Sequence, residues 1–113
     1  MTILDPSTPY SIVSAASSNA TSVRTAGGYV ILAQATNSGA GWAYLKIYDT
    51  AGVPNVGTDT PIWRLGLPPG GGSLESKRFF VKTGFAFAIV GGTGLDTDTT
   101  AVAAGQVLPN FLI

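Results

Sequence analysis

Residues Tyr44 to Gly71 read YLKIYDTAGVPNVGTDTPIWRLGLPPGG. Two runs of alternating character flank a loop of Gly, Pro, Asn and Asp, and a Pro-Pro-Gly-Gly-Gly stop follows the second run. A period of two places successive side chains on opposite faces of a strand, so the stretch reads as strand, long turn, strand. Extended back to Trp42, the first run puts Ala43, Leu45 and Ile47 on one face and Trp42, Tyr44, Lys46 and Tyr48 on the other. Leu45 and Ile47 are assigned to the core. The Trp-Tyr-Lys-Tyr face is amphipathic, suited to half-cover by a neighbour.

The same reading extends over the chain. Strands are predicted at Tyr10–Val13, Thr21–Thr25, Tyr29–Thr36, Trp42–Asp49, Pro61–Leu67, Lys77–Val81, Phe85–Val90 and Gln106–Leu112. Fifteen glycines and seven prolines interrupt the sequence, Glu occurs once (Glu75), and Thr, Val, Ile and aromatic residues dominate the apolar runs. That is strand chemistry rather than helix chemistry. In FAFAIV, Phe85, Phe87 and Ile89 face one way and Ala86, Ala88 and Val90 the other. Both faces are apolar, so this strand is expected to be covered on both sides, by its own core and by a loop or a second subunit. The last run divides into Val107, Pro109, Phe111 against Leu108, Asn110, Leu112, and the apolar end is expected to be paired into a sheet or buried in a contact. PPGGGSLES reads as a flexible loop within the domain. The expected fold is all-β, a single antiparallel, jelly-roll-like β-sandwich over residues 1–113, with an extended arm at about 1–9.

Composition narrows the function. A chain of 113 residues makes one domain. Its size allows burial of roughly 60–70% of the unfolded surface without staples. Charged residues make up 11% of the chain, with six basic and six acidic side chains and no net charge. Ordinary soluble domains carry about 25%. A skin so poor in charge raises the expectation of an assembly. Lys77, Arg78 and Lys82 form the only tight basic cluster, too little for the basic stripe of a nucleic-acid binder. With no Cys and no His, thiol nucleophiles, zinc–thiolate sites and imidazole bases are absent. The N-terminus lacks the charged and apolar regions of a signal peptide, and no run nears the ~20 apolar residues of a membrane span.

Local motifs add little chemistry. DTDTT (Asp96–Thr100) has the alternating oxygens that open a calcium loop but lacks the following Gly and the distal Glu. A turn in which Asp and Thr bond their own backbone is the better reading. The same Asp pair lacks a third catalytic group for glycoside hydrolysis. GGTGLD (Gly91–Asp96) lacks the third Gly and the helix of a dinucleotide site. NAT (Asn19–Thr21) is a sequon read as a turn before a strand. No catalytic, cofactor or metal site is assigned. The aromatics Trp42, Tyr44, Tyr48 and Trp63 are read as exposed and open a second line, because flat rings stack on pyranose faces.

Two longer stretches, SNATSVRTAGGYVILAQATNSGAGWAYLKIYDTAGVPNVGTDTPIWRLGLPPGG from Ser18 and GFAFAIVGGTGLDTDTTAVAAGQV from Gly84, make up most of the chain from Ser17 to about Val107. Together they resemble small structural proteins from tailed-phage and prophage modules. The resemblance implies a capsid cement or decoration protein, a homotrimer or homodimer that binds the major capsid protein on the virion surface after synthesis in the host cytoplasm. No nucleic acid, membrane or cofactor is implied. A carbohydrate- or host-binding module, or a neck or tail component, is the alternative. IWRLG departs from the plain aliphatic strand of the resemblance and marks Trp63 and Arg64 as contacts particular to this chain. The candidate interface is therefore Trp42, Tyr44, Tyr48, Trp63, Arg64, Phe111, Leu112 and Ile113. The loop VPNVGTDTP is expected to be structural, stiffened by Pro54 and Pro61, with Gly52 and Gly57 in unusual dihedrals and Asp59 and Thr60 bonding backbone.

Overall fold

The computed structural model describes residues 8–113, and of 72–74 the backbone alone. Its ten strands are β1 (Pro9–Ser11), β2 (Thr21–Arg24), β3 (Gly28–Val30), β4 (Leu32–Asn37), β5 (Ala43–Tyr48), β6 (Trp63–Leu67), β7 (Gly72–Glu75), β8 (Phe79–Val81), β9 (Phe85–Val90) and β10 (Val107–Leu112). No helix occurs among the described residues. Residues 1–7 of the expected arm lie outside them. Thr8 is already anchored, exchanging backbone hydrogen bonds with Ile113 at 2.7 and 3.0 Å.

The pairing is nested. β5 pairs β6, and around that hairpin β4 pairs β7, β3 pairs β8, β2 pairs β9 and β1 pairs β10, all antiparallel. The chain is thus one long hairpin with its tip at residues 49–62. Rolled up, it brings β10 against β4 and β9 against β5. The roll yields sheets in the order β1-β10-β4-β7 and β2-β9-β5-β6, with β3-β8 as a separate ribbon. The two sheets pack as an antiparallel β-sandwich.

Face assignments by alternation hold. Ala43, Leu45 and Ile47 of β5, and Phe85, Phe87 and Ile89 of β9, share the core with Ala33 and Ala35 of β4 and Val107 and Phe111 of β10. The alanines of β4 leave room for large rings from the facing sheet. Phe111 meets Phe85 edge-on at 5.0 Å and Phe87 at 4.9 Å, and the ring contacts continue through Phe79 to Trp63. Each fully buried large apolar side chain contributes about 1.5–3 kcal/mol of transfer free energy.

Two elements differ from the expected pattern. PPGGGSLES is not a loop throughout: Gly70 and Gly71 turn the chain at φ of 78° and 91°, and residues 72–75 then pair with β4 as an edge strand. Only glycine enters that left-handed region freely. The expected strand Tyr29–Thr36 breaks at Ile31. There the ribbon leaves the sheet, and the Ile31 N–H donates to the Leu112 carbonyl at 2.8 Å.

The ribbon closes one end of the sandwich. Val30 and Val81 are fully buried there, while Tyr29 and Phe80, paired across the strands, point outward. β5 runs toward this end. Just past it, Asp49 accepts the N–H groups of Lys82, Thr83 and Gly84 at 2.8, 2.7 and 3.2 Å. The start of β5, after Trp42, lies about 20 Å away at strand rise.

Candidate functional site

The outer face of the β2-β9-β5-β6 sheet was expected to be covered by a loop or a second subunit. Loops of the same chain cover it, the first of those two alternatives. Tyr48, Ala86 and Ala88 pack there under Ala20 and Val56. The tip loop and the loop after β9 touch each other: a side chain at Gly57 would sit 2.6 Å from the Thr99 methyl, and Gly57 itself has φ of 89°. Pro54 and Pro61 are buried. Asp59 receives the Asn55 N–H at 2.8 Å and returns its own N–H to the Asn55 carbonyl, so the tip loop is built as a structural turn. Gly52 lies outside the positive-φ region, contrary to expectation.

Lys46 is fully buried under these loops. Its Nζ donates to the carbonyls of Leu95 at 2.7 Å, Asp98 at 2.9 Å and Asp96 at 3.4 Å. The ammonium thus gathers three carbonyls of the segment 95–98. Burial pulls the Lys46 pKa below its ordinary value, opposed by the nearby charges of Asp98 and Asp96. The two carboxylates do not converge. Asp96 pairs with Arg64, whose Nε lies 2.8 Å from Oδ1. Asp98 turns inward: its Oδ2 accepts the N–H groups of Gly92 and Gly94, its Oδ1 that of Thr100. Burial pushes Asp98 up, but the Thr100 hydroxyl and these three N–H groups outweigh it and hold the carboxyl at about 2. Asp49 is also held low, burial being outweighed by its backbone donors and Lys82. Among the described residues no three Asp or Glu side chains gather as a metal cluster would require. NAT is a turn: Asn19 sits at φ of 53°, and its side chain bonds both Ala15 backbone groups and the Ser17 carbonyl.

The candidate interface residues fall into three places. Tyr48 and Phe111 are 1% and 2% exposed and face no partner: the tip loop covers the first and the core claims the second. The apolar C-terminus is paired on both sides, by β1 and β4, and Leu112 and Ile113 are half-buried. Trp63, opposite Ile47, lies toward the ribbon end with Leu112 and Ile113, and Arg64 is its neighbour. Trp42 and Tyr44 lie at the opposite end, with rings 6.3 Å apart and 20° from parallel.

Sequence reasoning passed over the ribbon itself. Tyr29 and Phe80 are 52% and 57% exposed, their rings 5.3 Å apart in edge contact. The Arg78 guanidinium lies 4.7 Å over the Tyr29 ring. Lys77 and Lys82 are exposed beside them, so the only basic cluster in the sequence flanks an aromatic pair. The signal was present in the alternation of GYV and FFV. It needed the β3·β8 register to show that two rings share one face.

No protein-family model matches the sequence, and comparison with curated proteins and with solved structures found no match. No helix among the described residues is long and apolar enough to cross a membrane.

Proposed function

We propose that the chain is an accessory structural protein of a tailed-phage virion, a cement or decoration protein. It would bind the outside of the capsid and bridge neighbouring capsomers. The observation that carries the reading is the exposed Tyr29–Phe80 pair under Arg78. Aromatic and arginine side chains are enriched at the centres of protein interfaces, where desolvated rings supply most of the binding energy. Here they crown one end of the sandwich rather than filling its core, while Trp63 packs edge-on against Phe79 on the other side of β8.

Two further features support the reading. The nested hairpin is read as a jelly-roll-like path, an architecture that recurs in virion proteins, although fold alone does not assign function. The charge-poor composition suits a protein that spends its life among neighbours. A protein that binds only the assembled lattice stabilises it by mass action, and a trimer or dimer engaging several capsomers multiplies modest contacts. The chain is read as a binding protein and not an enzyme, because Asp96 is neutralised by Arg64 and Asp98 is saturated by backbone donors.

Co-sedimentation with purified expanded shells, unexpanded shells and tails of the phage that encodes the chain tests the proposal. Binding to expanded shells, lost in the Tyr29→Ser, Phe80→Ser double variant, is expected. Binding to tails alone would move the chain to the neck or tail, and binding to none of the three would overturn the reading.

A further inference from the structure

At the end opposite the ribbon, the turn from Ser38 to Trp42 faces the segment Ala101–Gln106 across an open groove of about 440 Å³, with Gly91 between them. Small-molecule sites usually fall in the range of about 300–1,000 Å³. No lysine, arginine, aspartate or glutamate lines this groove. Its residues are mostly alanine and glycine; the Ser38 hydroxyl and the Gln106 amide donate within the chain, so the polar surface is the remaining backbone groups and the spare lone pairs of the carbonyls and of these two side chains.

The walls are tied together. Buried Asn37 donates to the carbonyls of Gly41 and Leu67, both at 2.9 Å, and its Oδ1 accepts the Gly39 N–H at 3.0 Å and the Gln106 amide at 3.2 Å. Gln106 in turn accepts the Ala103 N–H at 2.9 Å, and its carbonyl accepts the Ser38 N–H at 2.9 Å. A side chain at Gly39 would sit 2.6 Å from the Gln106 side chain, so the two walls meet only because that position is glycine. A groove fixed before binding loses little freedom on binding.

Trp42 stands on the rim, half exposed. Its indole stacks on Tyr44, and the Tyr44 ring rests on Gly94, where a Cβ would be 2.6 Å from the ring. Both rings lie over Gly66, at 3.5 and 3.6 Å from where its Cβ would be, an ordinary packing distance. The indole is therefore a backed, flat plate beside an uncharged, hydrogen-bonding groove.

A ligand matching this surface has no charge, many hydroxyls and one apolar face. We propose that the groove binds a neutral saccharide, with one pyranose ring stacked on Trp42 and its hydroxyls bonded to backbone groups of residues 38–41 and 103–106. The site is separate from the ribbon end, so it does not depend on the virion reading. A protein seated by its ribbon would leave this groove at the far end.

The test titrates the full chain with hexasaccharides of β-1,4-glucose, α-1,4-glucose, β-1,4-N-acetylglucosamine and α-1,6-mannose. Tryptophan fluorescence and saturation-transfer NMR read the binding. At least one is expected to bind with Kd of about 1 mM or tighter. Trp42→Ala should weaken it about tenfold, Ala104→Arg should block it by filling the groove, and Trp63→Ala should leave it unchanged. Circular dichroism and the unfolding midpoint establish that each variant folds. Failure of all four sugars to bind, or binding that survives both Trp42→Ala and Ala104→Arg, overturns the proposal.

Discussion

The two ends of the sandwich are built by different means. At the ribbon end, strands cross from one sheet to the other and carry their alternation with them: Val30 and Val81 inward, Tyr29 and Phe80 outward. Rings dominate, and three basic side chains border them. At the groove end, turns meet turns. Asn37 and Gln106 hold that end with hydrogen bonds, and the surface is backbone, alanine and one indole plate. Apolar packing makes the first end and polar satisfaction the second. Perturbations should therefore separate them.

The largest effect is expected from Phe111→Ala, which removes the ring joining Phe85 and Phe87 near the ribbon. Denaturant unfolding should show a loss of about 3–5 kcal/mol. A loss below about 1 kcal/mol would mean that Phe111 is a contact residue after all. Next is Asn37→Ala, which strands the Gly41 and Leu67 carbonyls and the Gly39 N–H. A cost of about 1–3 kcal/mol is expected, chiefly from the buried Leu67 carbonyl. Amide exchange should quicken around Gly39 and Gln106 while the β3·β8 ribbon keeps its protection. Equal quickening at both ends would break the distinction.

Acid acts on the loop after β9 through Asp98. Its folded pKa of about 2 lies below the unfolded value near 3.9. The stabilisation is thus fully present above about pH 4 and is lost as pH falls toward 2. The stability lost across that window is about 2–3 kcal/mol, and Asp98→Asn should flatten that part of the stability–pH curve measured by urea unfolding. The smallest stability effect is expected at the ribbon surface. Tyr29→Ser with Phe80→Ser should change stability by about 1 kcal/mol or less in urea unfolding, yet abolish co-sedimentation with expanded shells. A loss above about 2 kcal/mol would make the pair a structural element of the ribbon rather than a docking surface.

Alternation made the sandwich legible. FAFAIV, YLKIY and VLPNFL each declared two faces, and each face lies where its parity put it. Whatever depends on which strand or loop covers a face was not legible. Lys46 has the spacing of a surface lysine, and only a loop some fifty residues later supplies its three carbonyls. Tyr48 looked exposed for the same reason. GGGSLES hid an edge strand because its glycines form the turn and its pairing depends on β4. SGAG and AVAAG carry no residue type that signals a groove, since backbone atoms line it.

The central claim is that the ribbon end is the docking end. Cryo-electron microscopy of intact particles from cells that produce the chain tests it most directly. The account predicts sandwich-shaped density on the outside of the expanded shell, with Tyr29, Phe80 and Arg78 against the lattice and Trp42 toward solvent. Particles without such density, or with the Trp42 end against the shell, would contradict it.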